Sequence, residues 1–518
     1  MNPSSAPISG RHRPALWLGI FSFAVVLAAH HVADGDLWGK LAIGAHVWHY
    51  GTVPDHDTFA FTPVLPHYVE HEWGAGTIFF GVLKFFGPPG LMLLKILLAV
   101  GALLAALAAG RKNGCSWETL LLLAVPVAWV ELLGYVPVIR SHAFTYCFFA
   151  VTLLALEEIR AAKKWPLFVL PPLFLVWSNI HGGFVAGLGA IGVYAAFALP
   201  ARKHFKAYLL AGALCGAVTF LNIYGLKFWP YLVPAILMKR PAITEWQPLP
   251  LWGDDIFNSF RVLFFLVAAV LFFGWRQVQK KNWPGLALLA ITALLAWRSR
   301  RHAPFFGVAA LAFAGPFLQA LLLNFSSRRP ARVLKNFKPA FTVTVLYGAL
   351  AVFTVLKFLP QASFDVLAPV GNVPVREADI LARAQAGGNL ATPFGWGCYC
   401  SWRLNPRVKI SMDGRYETTY PEATFALNDR FYNKSGPDWD RLIRDYQVDY
   451  VILACAQEPL RPEDLVARGY VLVWQTGGLS ALLCLPQHAE KLRQAAAGLP
   501  PTTVNPLDAK IPDAWWPR

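Results

Sequence analysis

Charged residues are scarce in this chain. Asp, Glu, Lys and Arg make up 15% of its 518 residues, whereas about a quarter is usual in soluble domains. Hydrophobic residues make up 56%, and the mean hydropathy is +0.43. Long stretches carry no charge at all, and most of the Lys and Arg lie in the breaks between them. This pattern excludes an ordinary soluble globular protein and predicts an integral membrane protein.

Several functional motifs are also missing. The chain has no G-x-x-x-x-G-K-[ST] phosphate loop and no Gly-rich dinucleotide fingerprint. Its seven cysteines show no zinc-site spacing. Cys398 and Cys400 are too close together for an easy disulfide, so they are free or pair with Cys455 or Cys484. The net charge of +16 fits basic cytoplasmic loops, so we expect no nucleic-acid partner.

The apolar stretches predict a mostly α-helical, polytopic transmembrane bundle. A span needs about 20 apolar residues, and the sequence offers about 11 such segments. They lie near 14–33, 88–110, 118–136, 141–156, 165–180, 184–199, 206–222, 258–275, 283–297, 303–324 and 339–358. Two shorter segments, 73–86 and 226–238, are predicted to lie at the membrane surface or to be re-entrant.

The C-terminal region has a different, mixed composition. Short β-like runs alternate with helical stretches there, which predicts a small α/β domain. We therefore expect three parts: a transmembrane domain at 1–358 with an outer loop at 34–73, an extracytoplasmic α/β domain at 359–490, and a loosely ordered tail at 491–518.

The distribution of Lys and Arg predicts the orientation. With the N-terminus inside, the inner connections are richer in basic residues than the longer outer ones. The C-terminal domain and the loop at 34–73 then lie outside. This topology predicts a protein of the cytoplasmic membrane, in contact with membrane lipids, and it depends on 73–86 not crossing fully.

The first outer loop concentrates acidic residues. Asp34 and Asp36 directly follow the first span, while Glu70, His71 and Glu72 precede the next helix. If the loop folds back, these groups meet at the bilayer surface, where they suit a general base, a divalent cation such as Mg²⁺ or Mn²⁺, or both. We therefore predict Asp36 or Asp34 as catalytic, with Asp36, Glu70, Glu72 and His71 as metal ligands. In the alternative interpretation, these acids are solvated and Asp36 caps the following helix.

Several basic residues lie at the outer ends of spans, although Lys and Arg are otherwise concentrated in the inner connections. The group consists of Arg140, Arg298, Arg300, Arg301 and His302. Arginine binds phosphate in a bidentate manner, so this group predicts a clamp for a lipid phosphate. The alternative is that these arginines reach headgroups or pair with outer acids. His181 lies in an outer turn. It either contacts substrate or fills that turn as a structural polar group.

Together the acids and arginines predict transfer chemistry on a lipid-linked phosphate. A sugar on polyprenyl phosphate leaves behind a stable anion, which needs cations rather than a general acid. One carboxylate then suffices to deprotonate an acceptor hydroxyl, and a single displacement inverts the anomeric centre, unlike the two-carboxylate retaining scheme. The donor would be a polyprenyl-phosphate-linked sugar, and the acceptor a glycan, lipid or protein.

An acid-bearing first outer loop followed by two surface helices and many spans resembles the GT-C glycosyltransferases, such as protein mannosyltransferases, aminoarabinose transferases and oligosaccharyltransferases. The residues that carry a closer resemblance, to a group of bacterial membrane proteins assigned to that superfamily, are Asp34-Gly-Asp-Leu-Trp38, Gly51-Thr-Val-Pro54, Asp57-Thr-Phe59, Glu72-Trp73, Trp177-Ser-Asn-Ile-His-Gly-Gly183, Glu245-Trp246, Trp396-Gly397 and Met412-Asp-Gly-Arg415. The resemblance implies that Asp34 or Asp36 is the base or a metal ligand and that Glu70 or Glu72 is the second acid. The chain lacks the Trp-Trp-Asp-Tyr-Gly motif of oligosaccharyltransferases, which argues against glycosylation of peptide Asn.

A non-enzymatic lipid or glycan transporter, or an envelope assembly protein, is the rival hypothesis. A transporter should hold charged residues within its spans near the membrane midplane. Glu131 is the main candidate for such a residue, and the sequence shows no convincing internal repeat.

Overall fold

A computed structural model describes residues 12–497 and 499, apart from 67, 137, 239–242, 254, 328–338, 369 and 370. The chain forms two compact units. Unit 1 comprises residues 1–31 and 92–364, and unit 2 comprises residues 32–91 and 365–518. Residues 32–91 thus group with the C-terminal region, whereas the sequence prediction assigned the loop at 34–73 to the transmembrane part.

Unit 1 is helical. Its helices are α1 (Arg13–Ala29), the C-terminal part of α3 (Trp73–Lys112), α4 (Trp117–Tyr135), α5 (His142–Arg160), α6 (Pro166–Ile180), α7 (Phe184–Ala198), α8 (Phe205–Val218), α9 (Phe228–Leu237), α10 (Asn258–Gly274), α11 (Trp283–Arg298), α12 (Ala303–Phe313), α13 (Gly315–Ser327) and α14 (Pro339–Phe358). α12 is buried along its whole length and packs against α4, α5 and α11. α1 packs closely on α14, where a Cβ added to Gly19 would lie only 2.6 Å from the Tyr347 ring.

Each segment predicted as a span coincides with a helix or, at 303–324, with the broken pair α12 and α13. Three described helices are long and apolar enough to cross a membrane, namely α3, α4 and α5. Two bent pairs raise this to five: Phe205–Leu221 with Gly225–Leu237, bent by 108°, and Arg300–Phe313 with Gly315–Asn324, bent by 49°. The helical, apolar character is confirmed, and the number of spans stays a prediction.

The predicted boundary at 86–88 is visible inside α3. Gly87 has φ 64° and ψ −166°, a conformation that favours glycine, and Pro88 and Pro89 follow it. These residues interrupt the regular path of the helix and separate 73–86 from the apolar segment after it.

Unit 2 is built on a mixed five-stranded sheet. The strands are β1 (Gly388–Ala391), β2 (Val408–Ile410), β3 (Tyr450–Leu453), β4 (Val471–Thr476) and β5 (Ser480–Cys484), in the order β2-β1-β3-β5-β4. β1 pairs in parallel with β2 and β3, whereas β5 pairs antiparallel with β3 and β4. The predicted α/β domain is thereby confirmed.

Unit 2 also contains helices. They are α2 (Gly35–Tyr50), the N-terminal part of α3, α15 (Val375–Arg383), α16 (Gly397–Leu404), α17 (Tyr416–Thr419), α18 (Glu422–Asn433), α19 (Arg441–Asp445), α20 (Pro462–Val466) and α21 (Pro486–Ala497). α21 continues past residue 490, so the tail predicted from 491 begins as a helix. The rest of that tail, beyond 499, lies outside the described residues.

Backbone hydrogen bonds explain why residues 32–91 belong to unit 2. Ile410 in the edge strand β2 donates to the Phe59 carbonyl at 2.9 Å and accepts from the Phe61 amide at 3.0 Å. The Ala33 amide donates to the Leu367 carbonyl at 2.7 Å. The early loop therefore covers an otherwise unpaired sheet edge.

The cysteines are all free. Cys398 and Cys400 are buried thiols in α16. Gly39 lets α2 approach α16 closely, since a Cβ on this residue would lie 3.0 Å from Cys398 Sγ.

Candidate functional site

The first two acids of the loop at 34–73 are held at the start of α2. Asp34 is the N-cap: its Oδ1 accepts from the Asp36 amide at 2.9 Å. The expectation that Asp36 caps this helix is therefore wrong, because Asp36 lies one residue inside the first turn. There its half-buried carboxylate is next to the positive end of the helix dipole.

Asp36 lies beside the motif around Gly414. A Cβ placed on Gly414 would be 3.4 Å from Asp36 Oδ1 and 3.5 Å from Cys398 Sγ. Trp38 packs edge-on against Tyr399, with ring centroids 5.0 Å apart. The start of α2 is thus fixed against residues 397–414, and the Asp36 carboxylate has a defined position.

Lys40 joins the two later acids of the loop. Its Nζ lies 2.9 Å from Glu70 Oε1 and 2.9 Å from Glu72 Oε2. Burial lowers the pKa of Lys40, but the two carboxylates outweigh that effect and raise its pKa above the ordinary value. Burial likewise raises the pKa of Glu70, yet Lys40 and His71 lower it more, so the net pKa is below the ordinary value. Glu70 and Lys40 therefore form a charged pair.

A second buried cation, Arg415, holds two aspartates. Its Nη1 donates to Asp57 Oδ1 at 2.6 Å, and its Nε donates to Asp413 Oδ2 at 2.9 Å. The guanidinium also lies over the Phe59 ring, 4.7 Å from the centroid. Burial lowers the pKa of Arg415, but Asp413 and Asp57 raise it more, so this cation is permanently charged.

Tyr68 links the two ion clusters of unit 2. Its hydroxyl accepts from Arg415 Nη1 at 3.2 Å and donates to Glu70 Oε2 at 3.1 Å. A continuous path of polar contacts therefore runs from Glu72 through Lys40, Glu70 and Tyr68 to Arg415. Tyr68, Glu70 and Arg415 are buried, and the side chains of Lys40 and Glu72 are only 11% and 13% exposed, so moving one of these groups disturbs its neighbours.

This arrangement does not suit the predicted metal site. Among the residues that the structure describes, no group of three or more His, Cys, Asp or Glu side chains could hold a metal ion. The ammonium of Lys40 lies between Glu70 and Glu72, where a dication would be repelled. His71 Nε2 is 3.8 Å from Glu72 Oε1, and the four predicted ligands do not surround one point.

The arginine cluster lies in unit 1. Arg140 makes a bidentate pair with Glu245, with Nη1 to Oε2 at 3.1 Å and Nη2 to Oε1 at 2.7 Å. Burial raises the pKa of Glu245, but Arg140 and Arg301 lower it more, so the carboxylate is charged. The Arg140 guanidinium, which was expected to bind a phosphate, thus binds the Glu245 carboxylate in a similar bidentate geometry.

The segment with Glu245 lies along the end of α11. The Arg300 amide donates to the Gln247 carbonyl at 3.3 Å, and the Ser299 hydroxyl donates to the Glu245 carbonyl at 3.3 Å. This pairing places the Arg301 guanidinium over the Trp246 ring, 4.4 Å from its centroid. The structure therefore brings Arg140, Glu245 and Arg301 together.

The remaining basic residues differ in exposure. Arg298 is exposed at the end of α11. Within the described part of the chain, Arg300 Nε and His302 Nδ1 are buried without a hydrogen-bond partner. Such buried polar atoms cost about 1–3 kcal/mol when left unsatisfied, so a bound anion that bonds to them gains that contribution.

His181 holds its own turn. Its Nδ1 accepts from the Gly183 amide at 2.9 Å and lies 2.9 Å from the Thr145 hydroxyl, which itself accepts from Trp177 Nε1 at 2.8 Å. These contacts support the structural alternative for Nδ1 and place the proton of the neutral ring on Nε2.

Buried charges within helices include one that the sequence interpretation missed. Lys95 in α3 donates to the carbonyls of Leu27 at 3.0 Å and His30 at 2.6 Å, so it neutralises the end of α1. Glu131 in α4 is fully buried, and neither carboxylate oxygen has a partner among the described residues. Lys95 thus has a structural role, and Glu131 stays the main charged candidate of the transporter hypothesis.

Known proteins match this chain in structure but not in sequence. No family model and no curated protein sequence matches the chain. The structure is similar to archaeal oligosaccharyltransferase AglB from Archaeoglobus fulgidus in complex with an inhibitory peptide and a dolichol-phosphate, with TM-score 0.60, 11% identity, and coverage of 85% of this chain and 69% of that one. It is also similar to ArnT from Cupriavidus metallidurans bound to undecaprenyl phosphate, with TM-score 0.54, 13% identity, and coverage of 92% and 98%.

Both similar structures are GT-C membrane glycosyltransferases. The chain has the GT-C fold. The resemblance expected from the sequence is confirmed at that level, while membership of the narrower bacterial group stays a prediction. The ArnT match extends over nearly the whole of both chains.

Proposed function

We propose that this protein is an inverting membrane glycosyltransferase, which moves a sugar from a polyprenyl-phosphate-linked donor to an acceptor outside the cytoplasmic membrane. The observation that carries the proposal is the match to ArnT bound to undecaprenyl phosphate, over 92% of this chain. A shared fold does not fix chemistry, so the proposal also rests on the residues of each unit.

Arg140 and the basic residues that follow α11 are the proposed groups for the leaving phosphate. Arg140 and Arg301 flank one carboxylate, and Arg300 and His302 hold buried nitrogens that an anion can satisfy. A phosphate that replaces Glu245 at Arg140 would meet a bidentate fork. Cations at this position stabilise the charge that develops as the sugar–phosphate bond breaks, and no general acid is needed.

The proposed base is Asp36. Asp36 accepts the proton of the acceptor hydroxyl as that oxygen attacks the anomeric carbon, and the phosphate departs with the bonding electrons. Asp34 caps α2 and so keeps Asp36 in place. Lys40 and Arg415 fix the surrounding loop. Because the Lys40 ammonium already lies between Glu70 and Glu72, we assign no catalytic step to a divalent cation.

The orientation follows from the charge distribution. We propose that the N-terminus is inside, that unit 2 lies on the outer side of the bacterial cytoplasmic membrane, and that residues 359–490 act as an extracytoplasmic α/β domain together with the early loop. The acceptor is a glycan, a lipid or a protein.

The test compares the purified wild type with Asp36→Asn and Asp55→Asn, using a labelled polyprenyl-phosphate sugar and membrane extract as acceptor source. Loss of a general base lowers the rate by roughly 10²–10⁴-fold, so Asp36→Asn should show that loss with an unchanged melting temperature. Asp55 is exposed in the same loop and paired only with His56 among the described residues, so its variant should transfer normally. Undiminished transfer by Asp36→Asn would contradict the role of Asp36 as the base. A product with retained anomeric configuration would contradict the single-displacement mechanism.

A further inference from the structure

A second candidate binding site lies at the other end of the unit 1 helices. A cavity of about 230 Å³ is bounded by the end of α3 at Lys112, the end of α5 at Arg160 and the start of α11 at Asn282. The opposite ends of α5 and α11 carry His142 and Arg298. A helix rises 1.5 Å per residue, so α5 alone separates this cavity from the Arg140 region by about 28 Å.

The cavity is lined by both polar and apolar residues. The polar lining consists of Lys112, Asn113, Gly114, Arg160, Lys280 and Asn282. The apolar lining consists of Val278, Leu286, Phe313, Pro316 and Phe317. Basic and amide groups beside aromatic and aliphatic side chains match a ligand with an anionic head and an apolar body.

The acids near the cavity are already neutralised. Glu157 is buried and accepts from Arg160 Nε at 2.9 Å and from Asn282 Nδ2 at 2.8 Å. Glu158 pairs with Lys112 at 2.8 Å. Lys280 is exposed and has no ion pair with any described residue. After these pairings the cavity keeps one positive charge at Lys280.

Hydrogen bonds also fix the donors. Arg160 Nη2 and Asn282 Nδ2 both donate to Asn113 Oδ1, at 2.8 Å and 2.9 Å. In the described part of the chain Arg160 Nη1 has no hydrogen-bond partner. The guanidinium is therefore held in one orientation with a donor still available, which lowers the entropy that a ligand must remove on binding.

We propose that this cavity binds the phosphate group of an anionic phospholipid, with Lys280 and Arg160 as donors and the acyl-glycerol part along Phe313, Phe317 and Leu286. The volume is below the roughly 300–1,000 Å³ of sites that enclose a drug-sized ligand, which suits a headgroup rather than a whole lipid. In the proposed orientation this is the cytoplasmic leaflet, so the site is separate from the donor site and does not depend on glycosyl transfer.

The experiment measures lipid binding by the full chain in detergent micelles. Native mass spectrometry follows a titration with phosphatidylglycerol, and phosphatidylcholine serves as the neutral comparison. Lys280→Gln removes the unpaired charge. Arg276→Gln makes the same change of net charge at an exposed residue of the same connection that does not line the cavity. Leu286→Trp fills the apolar part without changing charge.

The expected result is preferential binding of phosphatidylglycerol, weakened about fivefold in Lys280→Gln, unchanged in Arg276→Gln and abolished in Leu286→Trp. Equal binding by the two charge variants, or normal binding by Leu286→Trp, overturns the site. Inorganic phosphate is added as a competitor at millimolar concentration. If it displaces phosphatidylglycerol completely, the apolar wall contributes nothing and the lipid assignment is wrong.

Discussion

Replacing Lys40 by Met should destabilise unit 2 strongly. The ammonium lies 2.9 Å from each of two carboxylates, and the side chain of Glu70 is only 2% exposed. Breaking a buried ion pair by removing one partner costs about 3–5 kcal/mol, because the other charge stays buried and uncompensated. Here two carboxylates would be left close together, so we expect the upper part of that range.

Thermal unfolding of the purified chain measures this effect. One kcal/mol shifts the melting temperature of a domain of 150–250 residues by about 2–4 °C, so Lys40→Met should lower the transition of unit 2 by roughly 8–20 °C. Lys40→Arg keeps the charge and should lose much less. Lys491→Met is the matched control, since Lys491 is exposed and has no ion pair with a described residue.

A double variant separates the ion pair from simple packing. Adding Glu70→Gln to Lys40→Met removes the most deeply buried uncompensated charge and should recover a large part of the lost stability. If Lys40→Met melts like the wild type, or if Glu70→Gln gives no recovery, the buried pair does not hold the loop.

The pH dependence of this pair follows from the two pKa shifts. The pKa of Glu70 is lowered, so its contribution is present above its unfolded pKa of about 4.3 and is lost as the pH falls through the folded value. The pKa of Lys40 is raised, so its contribution is present below about 10.4 and is lost only at higher pH. Between these limits the pair should be insensitive to pH.

Three further changes test other parts of the structure. Glu245→Gln frees the fork of Arg140 and should tighten binding of undecaprenyl phosphate about fivefold, as measured by native mass spectrometry, because an ion pair of this kind contributes up to about 1 kcal/mol. Gly44→Ala would put a Cβ 2.0 Å from the Gly76 carbonyl oxygen, so it should cost about 1–3 kcal/mol or more in the thermal unfolding of unit 2. Burial raises the pKa of Glu458 to about 8. The contribution of this carboxyl group to folding stability is therefore complete below its unfolded pKa and is lost as the pH rises through about 8. Glu458→Gln should flatten that part of the profile of melting temperature against pH.

Each of these changes has a control and a contradicting result. Asp55→Asn should leave lipid phosphate binding unchanged, and unchanged binding in Glu245→Gln would show that Glu245 does not compete with phosphate. Gly478→Ala has open space around it and should be neutral, so equal melting of the two glycine variants contradicts the close approach. Glu463→Gln removes an exposed acid near Glu458 and should keep the pH profile of the wild type.

Much of the fold could be predicted because apolar length and periodicity are local properties. The predicted spans coincide with helices, and the break before residue 88 coincides with Gly87. The sequence of β1, Gly-Asn-Leu-Ala, has little strand propensity of its own. It becomes a strand because β2 and β3 pair with both of its edges. Tertiary pairing decided this element.

The site was predictable only in its residue types. The acids near Asp36 and the arginines near Arg301 were identified, but their partners were not. Arg415 binds Asp57 across 358 positions of the chain, and Arg140 binds Glu245 across 105. Spacing in one sequence carries no information about such pairs. Lys40 had one local signal, as a single base within an acidic loop.

The division of unit 2 into two separated stretches has a consequence for biosynthesis. Residues 32–91 leave the ribosome roughly 270 residues before residue 365, an interval on the order of 15–50 s at typical elongation rates. During that time Asp57 has no Arg415 and Phe59 has no edge strand to pair with. The early loop therefore remains without these partners, exposed to proteases and chaperones, until the C-terminal residues have been synthesised. A truncation that removes β2 should leave the spans inserted and the early loop open to cleavage.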